Sequence, residues 1–425
     1  MNKLMLWGAM LVLAQNTYAQ ELVREEVYAV NTADQSLNLA AVQQQTNTQP
    51  DPDDDQSGTI KKYSRTFSAD RQDKISVTNQ YGSVVVKTWN RKEVRLDASI
   101  KASNSQDHRG SRLIDQVNIN ADKSTDQISF RTVIGQEQKR WGRNNNKARE
   151  IRVDYVIYLP ASNALSISNQ YGNVQIEDFA GALSLKLQYG DFSAGNLSSD
   201  NNYISVQYGK TNIVEANKLT VKQQYGSGLS IGTVGTLDLN IQYAGVKITR
   251  VSGDAVIRQQ YGSGLELGSV GNLVLNAQYA NVRVGDIRGN ARVDQQYNTL
   301  NITNVGNLDL KSQYSGVNVG TLRGDGNFNM DYNNLNIQQV LASSRNLTVT
   351  STYLGIKIGF AGNYNGDFTV RQSYGSFKSG ERVHTNTDGD EESRRGSSRS
   401  YNGRIGNGRT SNIRISSTYG NLNFN

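Results

Sequence analysis

The chain has 425 residues, 45 Lys and Arg against 38 Asp and Glu, a formal net charge of +7, no cysteine and two histidines. Lack of cysteine excludes a disulfide framework, a thiolate metal site and a lipid anchor on an N-terminal Cys, while His108 and His384 alone give no zinc set and no Ser-His-Asp triad. Forty glycines and three prolines suit many turns between unbroken β-ladders, because proline removes a ladder hydrogen bond.

The N-terminus has the three parts of a secretory signal. Lys3 supplies the positive region, Leu4 to Leu13 an apolar stretch too short to span a bilayer, and Thr17-Tyr18-Ala19 a cleavage site. Residues 1–19 are therefore expected to be a signal peptide, and the chain to be exported to the periplasm, the cell surface or the medium. No later apolar run reaches membrane-spanning length, so no transmembrane segment is expected in the mature chain. Export also argues against nucleic acid as a partner. A mildly basic exported chain suits anionic partners.

Residues 20–58 form a polar leader marked by Gln43-Gln44-Gln45 and Asp51-Pro52-Asp53-Asp54-Asp55, with the composition of a disordered segment. A calcium loop would need Gly where Gln56 stands and Glu where Lys62 stands, so neither metal nor cofactor is expected.

Residues 59–160 open with one repeat-like hairpin and then leave its period. Val94, Leu96, Ala98 and Ile100 alternate as a strand, Ile128-Phe130 and Val153-Tyr155-Ile157 suggest others, and a short helix fits near 111–116. A solenoid needs covered ends, so this stretch reads as an N-terminal β cap with a lead-in coil.

From residue 161 onward the chain repeats. Tyr171, Tyr189, Tyr208, Tyr225, Tyr243, Tyr261, Tyr279, Tyr297, Tyr314 and Tyr332 recur every 17 to 19 residues, and Tyr353, Tyr374 and Tyr419 follow at longer intervals. Leu237, Leu239, Ile241 and Tyr243 share one parity, as do Leu273, Leu275, Ala277 and Tyr279, so the tyrosines are expected to face the interior with the aliphatics. A shorter strand follows each turn, as in Val246 and Ile248. Parallel stacking about 4.8 Å apart would give a right-handed single-stranded β-helix, a β-solenoid with coils of about 18 residues. Like residues would then form a Tyr ladder at the core edge and an outward Gln ladder beside it.

A second-order pattern overlies the first. Gln223, Gln259 and Gln295 stand two before Tyr in alternate coils, with Ile241, Ala277 and Ser312 between them. The turns Gly226-Ser227-Gly228 and Gly262-Ser263-Gly264 are one residue longer than Ala244-Gly245. The unit is therefore 18 residues or a 36-residue pair.

Two stretches are charged. Residues 139–152 are basic around Trp141, and 381–411 turn from acidic at Asp388 to basic at Arg394, Arg395, Arg399, Arg404 and Arg409. Both read as solvated excursions.

The phrases Ile75-Ser76-Val77-Thr78-Asn79-Gln80-Tyr81-Gly82 and Leu165-Ser166-Ile167-Ser168-Asn169-Gln170-Tyr171-Gly172 resemble the strand-turn unit of putative adhesins of Bacteroidetes-type bacteria. These include the GIN-domain heads of putative autotransporter adhesins and the related toast-rack domains of envelope-stress proteins. The resemblance covers residues 60–425 and implies a right-handed β-helix. No catalytic residues carry over, because the motif is structural.

These observations lead to an exported non-enzymatic, adhesin-like β-solenoid, serving as a cell-envelope or surface binding and spacer scaffold. A periplasmic envelope-stress component is the alternative, with envelope proteins as partners, and a β-helix polysaccharide-active enzyme comes third. Outward positions three before Tyr include Lys186, Lys222, Arg258, Lys311 and Arg371, a face for surface glycans or other anionic envelope polymers.

Overall fold

The structure is a computed structural model that describes residues 59–102, 114–135, 151–386 and 398–425, all within the compact unit Asp55–Asn425. The signal segment, the leader, His108, Trp141 with most of the first basic stretch, and residues 387–397 lie outside the described residues.

One coil shows how the sequence makes the fold. Leu237, Leu239 and Ile241 point inward and are at most 3% exposed, while Asp238 and Asn240 face outward. Aliphatics at period two form a strand with one buried face. Tyr243 ends that strand at φ 55°, and the strand Val246–Val251 then lines the opposite wall of the same core. A bend at Ser252-Gly253 returns the chain to the next strand, Ala255–Gln260.

Coils stack in parallel register. Leu219, Leu237, Ala255, Leu273 and Ala291 are successive partners on the wall before the tyrosines. Leu229, Val246, Leu265 and Val282 are partners on the wall after them. The turn itself is bonded from coil to coil, as where the Tyr225 N–H donates to the Gln242 carbonyl. An aliphatic side chain fully buried contributes roughly 1.5–3 kcal/mol, and most of that burial depends on neighbouring coils. The chain is thus an all-β solenoid.

The tyrosines do not face the core. Each adopts a left-handed conformation, φ 52–62°, which breaks the alternation that would have turned the ring inward. From Tyr171 onward the rings are 39–57% exposed.

Beyond the coil at Tyr81 both walls continue into antiparallel strands. The strand Lys74–Gln80 is flanked by Leu165–Gln170 on one side and Gln127–Ile134 on the other, and the latter pairs antiparallel with Val117–Lys123. On the opposite wall, Val84–Trp89 pairs with Ile151–Pro160, then Glu93–Ala102 and Thr59–Ser68 follow antiparallel. The edge strand Thr59–Ser68 carries Lys61, Lys62 and Arg65, charges that oppose edge-to-edge pairing.

At the other end chain order and stacking order part. The last coil, built from Asn412–Thr418 and Leu422–Phe424, lies between Asn346–Phe360 and the pair Gly366–Ser373 and Phe377–Ser379. Ile413 is partnered by both Leu347 and Phe368, and Ile415 by both Val349 and Val370. The described part of 381–411 is also more than an excursion. Ser398–Ile405 pairs antiparallel with Gly366–Ser373 and with Val383–Asn386, placing a hairpin on the terminal coil. Ile405 is buried and Tyr401 partly buried on its inner face, which outweighs the arginines pointing outward.

Candidate functional site

Two side-chain rows run along the turn edge. Fourteen tyrosines with positive φ form the first, in the order Tyr81, Tyr171, Tyr189, Tyr208, Tyr225, Tyr243, Tyr261, Tyr279, Tyr297, Tyr314, Tyr332, Tyr353, Tyr419, Tyr374. Ring centroids are 4.5–5.3 Å apart and planes within 3–13° of parallel. The second row is an amide ladder. Gln80, Gln170, Gln188, Gln207, Gln224, Gln242, Gln260 and Gln278 each donate Nε2–H to the Oε1 of the next, the row ending on Gln296, at 2.8–3.3 Å.

This edge has limited chemistry. Ring faces are covered by neighbouring rings, so a ligand meets ring edges and phenol oxygens. The end ring, Tyr374, is the most open at 57%. Holding a non-glycine residue in the left-handed region costs about 1–2 kcal/mol, and an aromatic contact returns about 0.5–1.5 kcal/mol. The ladder therefore adds little net stability but fixes a stiff, regular edge. Three of the phenols hold their protons more tightly than free tyrosine. Burial and then the charge of Tyr171 push Tyr81 up, a hydrogen bond with Tyr297 pushes Tyr279 up, and the charge of Tyr314 pushes Tyr332 up.

Behind the tyrosines the buried glutamines anchor the turn. Gln223 Nε2 donates to the carbonyls of Gly209 and Gly228, and Gln259 Nε2 to those of Ala244 and Gly264. Gln295 Nε2 donates to the carbonyls of Ala280 and Tyr297. In register, Gln223, Ile241, Gln259, Ala277 and Gln295 alternate, so none of these three amides lies directly against another, whereas the buried Asn79 and Asn169 of the first coils are direct partners.

Lys186, Lys222, Arg258, Lys311 and Arg371 are all exposed on the outer face of the wall before the tyrosines. Lys186, Ser205, Lys222, Asn240, Arg258, Asn276 and Asp294 are consecutive in one row. Cations two steps apart are about 10 Å from one another, close to the screening length of a physiological salt solution. Arg258 Nη1 is 2.9 Å from Asp238 Oδ1, and Asp294 interrupts the row before Lys311. Arg371 lies beyond the inserted last coil, beside Ser416. The row therefore holds separated cations rather than one continuous basic face.

No group of three His, Cys, Asp or Glu side chains that could hold a metal occurs among the described residues. No helix of the described residues is long and apolar enough to cross a membrane. The outward positions three before each Tyr all lie on the wall before the tyrosines. The opposite wall carries Lys210, Lys247 and Arg283 along a groove beside the two longer turns, and the difference in turn length was its signal in the sequence.

No protein-family model matches the chain, and no curated protein does. Among solved structures it is similar to a putative cell adhesion protein from Clostridium sporogenes, at 8% identity and TM-score 0.18 over 86% of this chain and 99% of that one. It is also similar to a putative adhesin from Bacteroides fragilis, at 11% identity and TM-score 0.19 over 86% and 97% of the two chains. A putative adhesin from Parabacteroides merdae gives 11% identity and TM-score 0.19 over 86% and 96%.

Proposed function

We propose that the chain is an exported, non-enzymatic, adhesin-like scaffold of the cell envelope or surface, which presents regular side-chain rows to acidic surface polymers and acts as a spacer. The observation that carries this reading is the turn edge, where fourteen tyrosines in left-handed conformation keep one register along the stack. Strained backbone repeated at every coil is retained where the surrounding structure over-determines it, and it accompanies function. The amides of the neighbouring Gln row are spent on one another, which leaves the edge a recognition surface with no reactive group. Lys186, Lys222, Lys311 and Arg371 supply the attraction for anions, while Arg258 is held by Asp238.

Binding of the purified mature chain to a glycan array, read at several salt concentrations, tests the reading. Retention on acidic glycans that falls as salt rises supports it, with the salt dependence flattened by Lys186→Gln, Lys222→Gln, Lys311→Gln and Arg371→Gln together. Cleavage of a bound polysaccharide, or no retention on any glycan or on whole cells, overturns it.

A further inference from the structure

We propose that the groove centred on Gly245, on the wall after the tyrosines, is a discrete binding site for an anionic sugar unit bearing a carboxylate or sulfate. The proposal rests on the scaffold reading above and locates a site within it.

The groove arises where the repeat changes. Tyr225 and Tyr261 are followed by Gly-Ser-Gly before the buried Leu229 and Leu265, whereas Tyr243 between them has only Ala244-Gly245 before Val246. Gly228 and Gly264 sit at φ 150° and 155°, a conformation that only glycine adopts readily. Lys210, Gly228, Gly245, Gly264 and Asn281 fall in one row across five coils, so three consecutive positions carry no side chain. They form the floor of a depression of about 500 Å³, a size common for small-molecule sites. Departures from a repeat on one face of a solenoid often mark where it binds.

The chemistry of the walls selects an anion with hydroxyl groups. Lys210 closes one end, and Lys247 and Arg283 stand along one side with Ser230 and Glu266 between and beside them. Ser227 and Ser263 hang from the longer turns on the other side, and a Cβ on Gly245 would come 2.5 Å from Ser263 Oγ. The floor carbonyls are already occupied. Gly228 O accepts from Gln223, Gly245 O from the Leu229 N–H, and Gly264 O from Gln259 and the Val246 N–H. A ligand thus meets three serine hydroxyls and three cations, of which Arg283 is paired at 3.6 Å with the single carboxylate, Glu266, itself placed to accept from a sugar hydroxyl. Here too the cations stand in alternate coils, about 10 Å apart, but all three line one depression.

Titration calorimetry of the full mature chain with three probes tests this: trigalacturonate, a sulfated galactose trisaccharide and neutral trigalactose. The expected result is saturable one-to-one binding of one or both acidic probes and none of the neutral one. The combined variant Lys210→Gln, Lys247→Gln and Arg283→Gln should weaken binding at least about tenfold, and Gly245→Ser should weaken it by filling the floor. Neutralising three exposed cations near the last coil, Lys357, Lys378 and Arg414, should leave it unchanged. Which acidic probe binds distinguishes carboxylate from sulfate. Absence of saturable binding overturns the groove, as does equal weakening by the two sets of neutralised cations. Retention on acidic glycans through the other wall would still support the scaffold.

Discussion

The amide of Gln223 occupies the space that a side chain on Gly226 would need: a Cβ there would lie 2.5 Å from Gln223 Nε2 and would also strike the Gly209 carbonyl. Neighbouring coils use the same room differently. Where Ile241 and Ala277 replace the glutamine, Ala244 and Ala280 follow the tyrosine and are at most 4% exposed. Inward Gln with outer Gly, and inward aliphatic with Ala, are two solutions to one volume. Gly226→Ala should therefore destabilise by about 1–3 kcal/mol, the scale of overpacking a filled site, while Ala244→Gly should cost about 1 kcal/mol or less. Equilibrium denaturation of the two variants checks the order, and equal losses would contradict the shared-volume account.

Tyr243 offers a second test. Tyr243→Gly relieves the left-handed conformation and loses two ring contacts, 4.9 Å and 5.2 Å between centroids. These terms nearly cancel, so a change within about 1 kcal/mol is expected. Tyr243→Val loses the contacts and keeps the strain with a branched side chain, so about 2–4 kcal/mol should be lost. Thermal melting of both variants decides; a glycine variant as damaged as the valine one would mean that the ring contacts dominate.

Alkaline pH should act through three tyrosines of the ladder and two of the core, Tyr155 and Tyr364. Tyr81, Tyr279, Tyr332 and Tyr364 hold their protons more tightly than free tyrosine, and burial pushes Tyr155 up to about 12. A raised folded-state value stabilises fully below the unfolded value near 10 and is lost as pH rises through the folded one. Stability should be flat through neutral pH and fall from about pH 10 upward. Melting followed with the phenolate absorbance measures it, and a transition completed below pH 9 would contradict the assignment.

The last coil gives a prediction about local order. Tyr419 stacks 4.7 Å from both Tyr353 and Tyr374, so removing residues 412–425 leaves an empty slot between two coils. Hydrogen exchange should lose protection across residues 346–379 yet keep it across residues 183–322, because stacked coils contact mainly their neighbours. Uniform loss along the chain would show that the array melts as one unit seeded from this end.

Much of this was legible in the sequence. Leu237, Leu239 and Ile241 announce an inward face by period, and Gln242 before each turn announces the amide ladder, because parallel stacking repeats whatever one coil contains. The direction of Tyr243 was not legible, since period two holds only while the backbone stays extended. The insertion of Ile413 between Leu347 and Phe368 was hidden for another reason: chain order carries no stacking order when one coil returns to an internal slot. The cations Lys210, Lys247 and Arg283 line one depression only because three glycines share a row, which depends on register across turns of unequal length.

A modular array should tolerate the loss of a whole pair of coils, whereas the binding site at its local interruption should not. Deleting residues 226–261 tests this most directly. The new junction joins Tyr225 to Gly262-Ser263-Gly264, so Gln223 keeps a glycine after its tyrosine, but Lys247 and two of the three floor glycines go. Deleting residues 226–243 instead sets Ala244 against the Gln223 amide, and should cost about 1–3 kcal/mol more if that hydrogen bonding is lost. Melting and trigalacturonate titration on the longer deletion should show a cooperative transition within about 5 °C of the parent and no saturable binding. A chain that fails to fold while the shorter deletion folds, or one that still binds with undiminished affinity, would contradict the account.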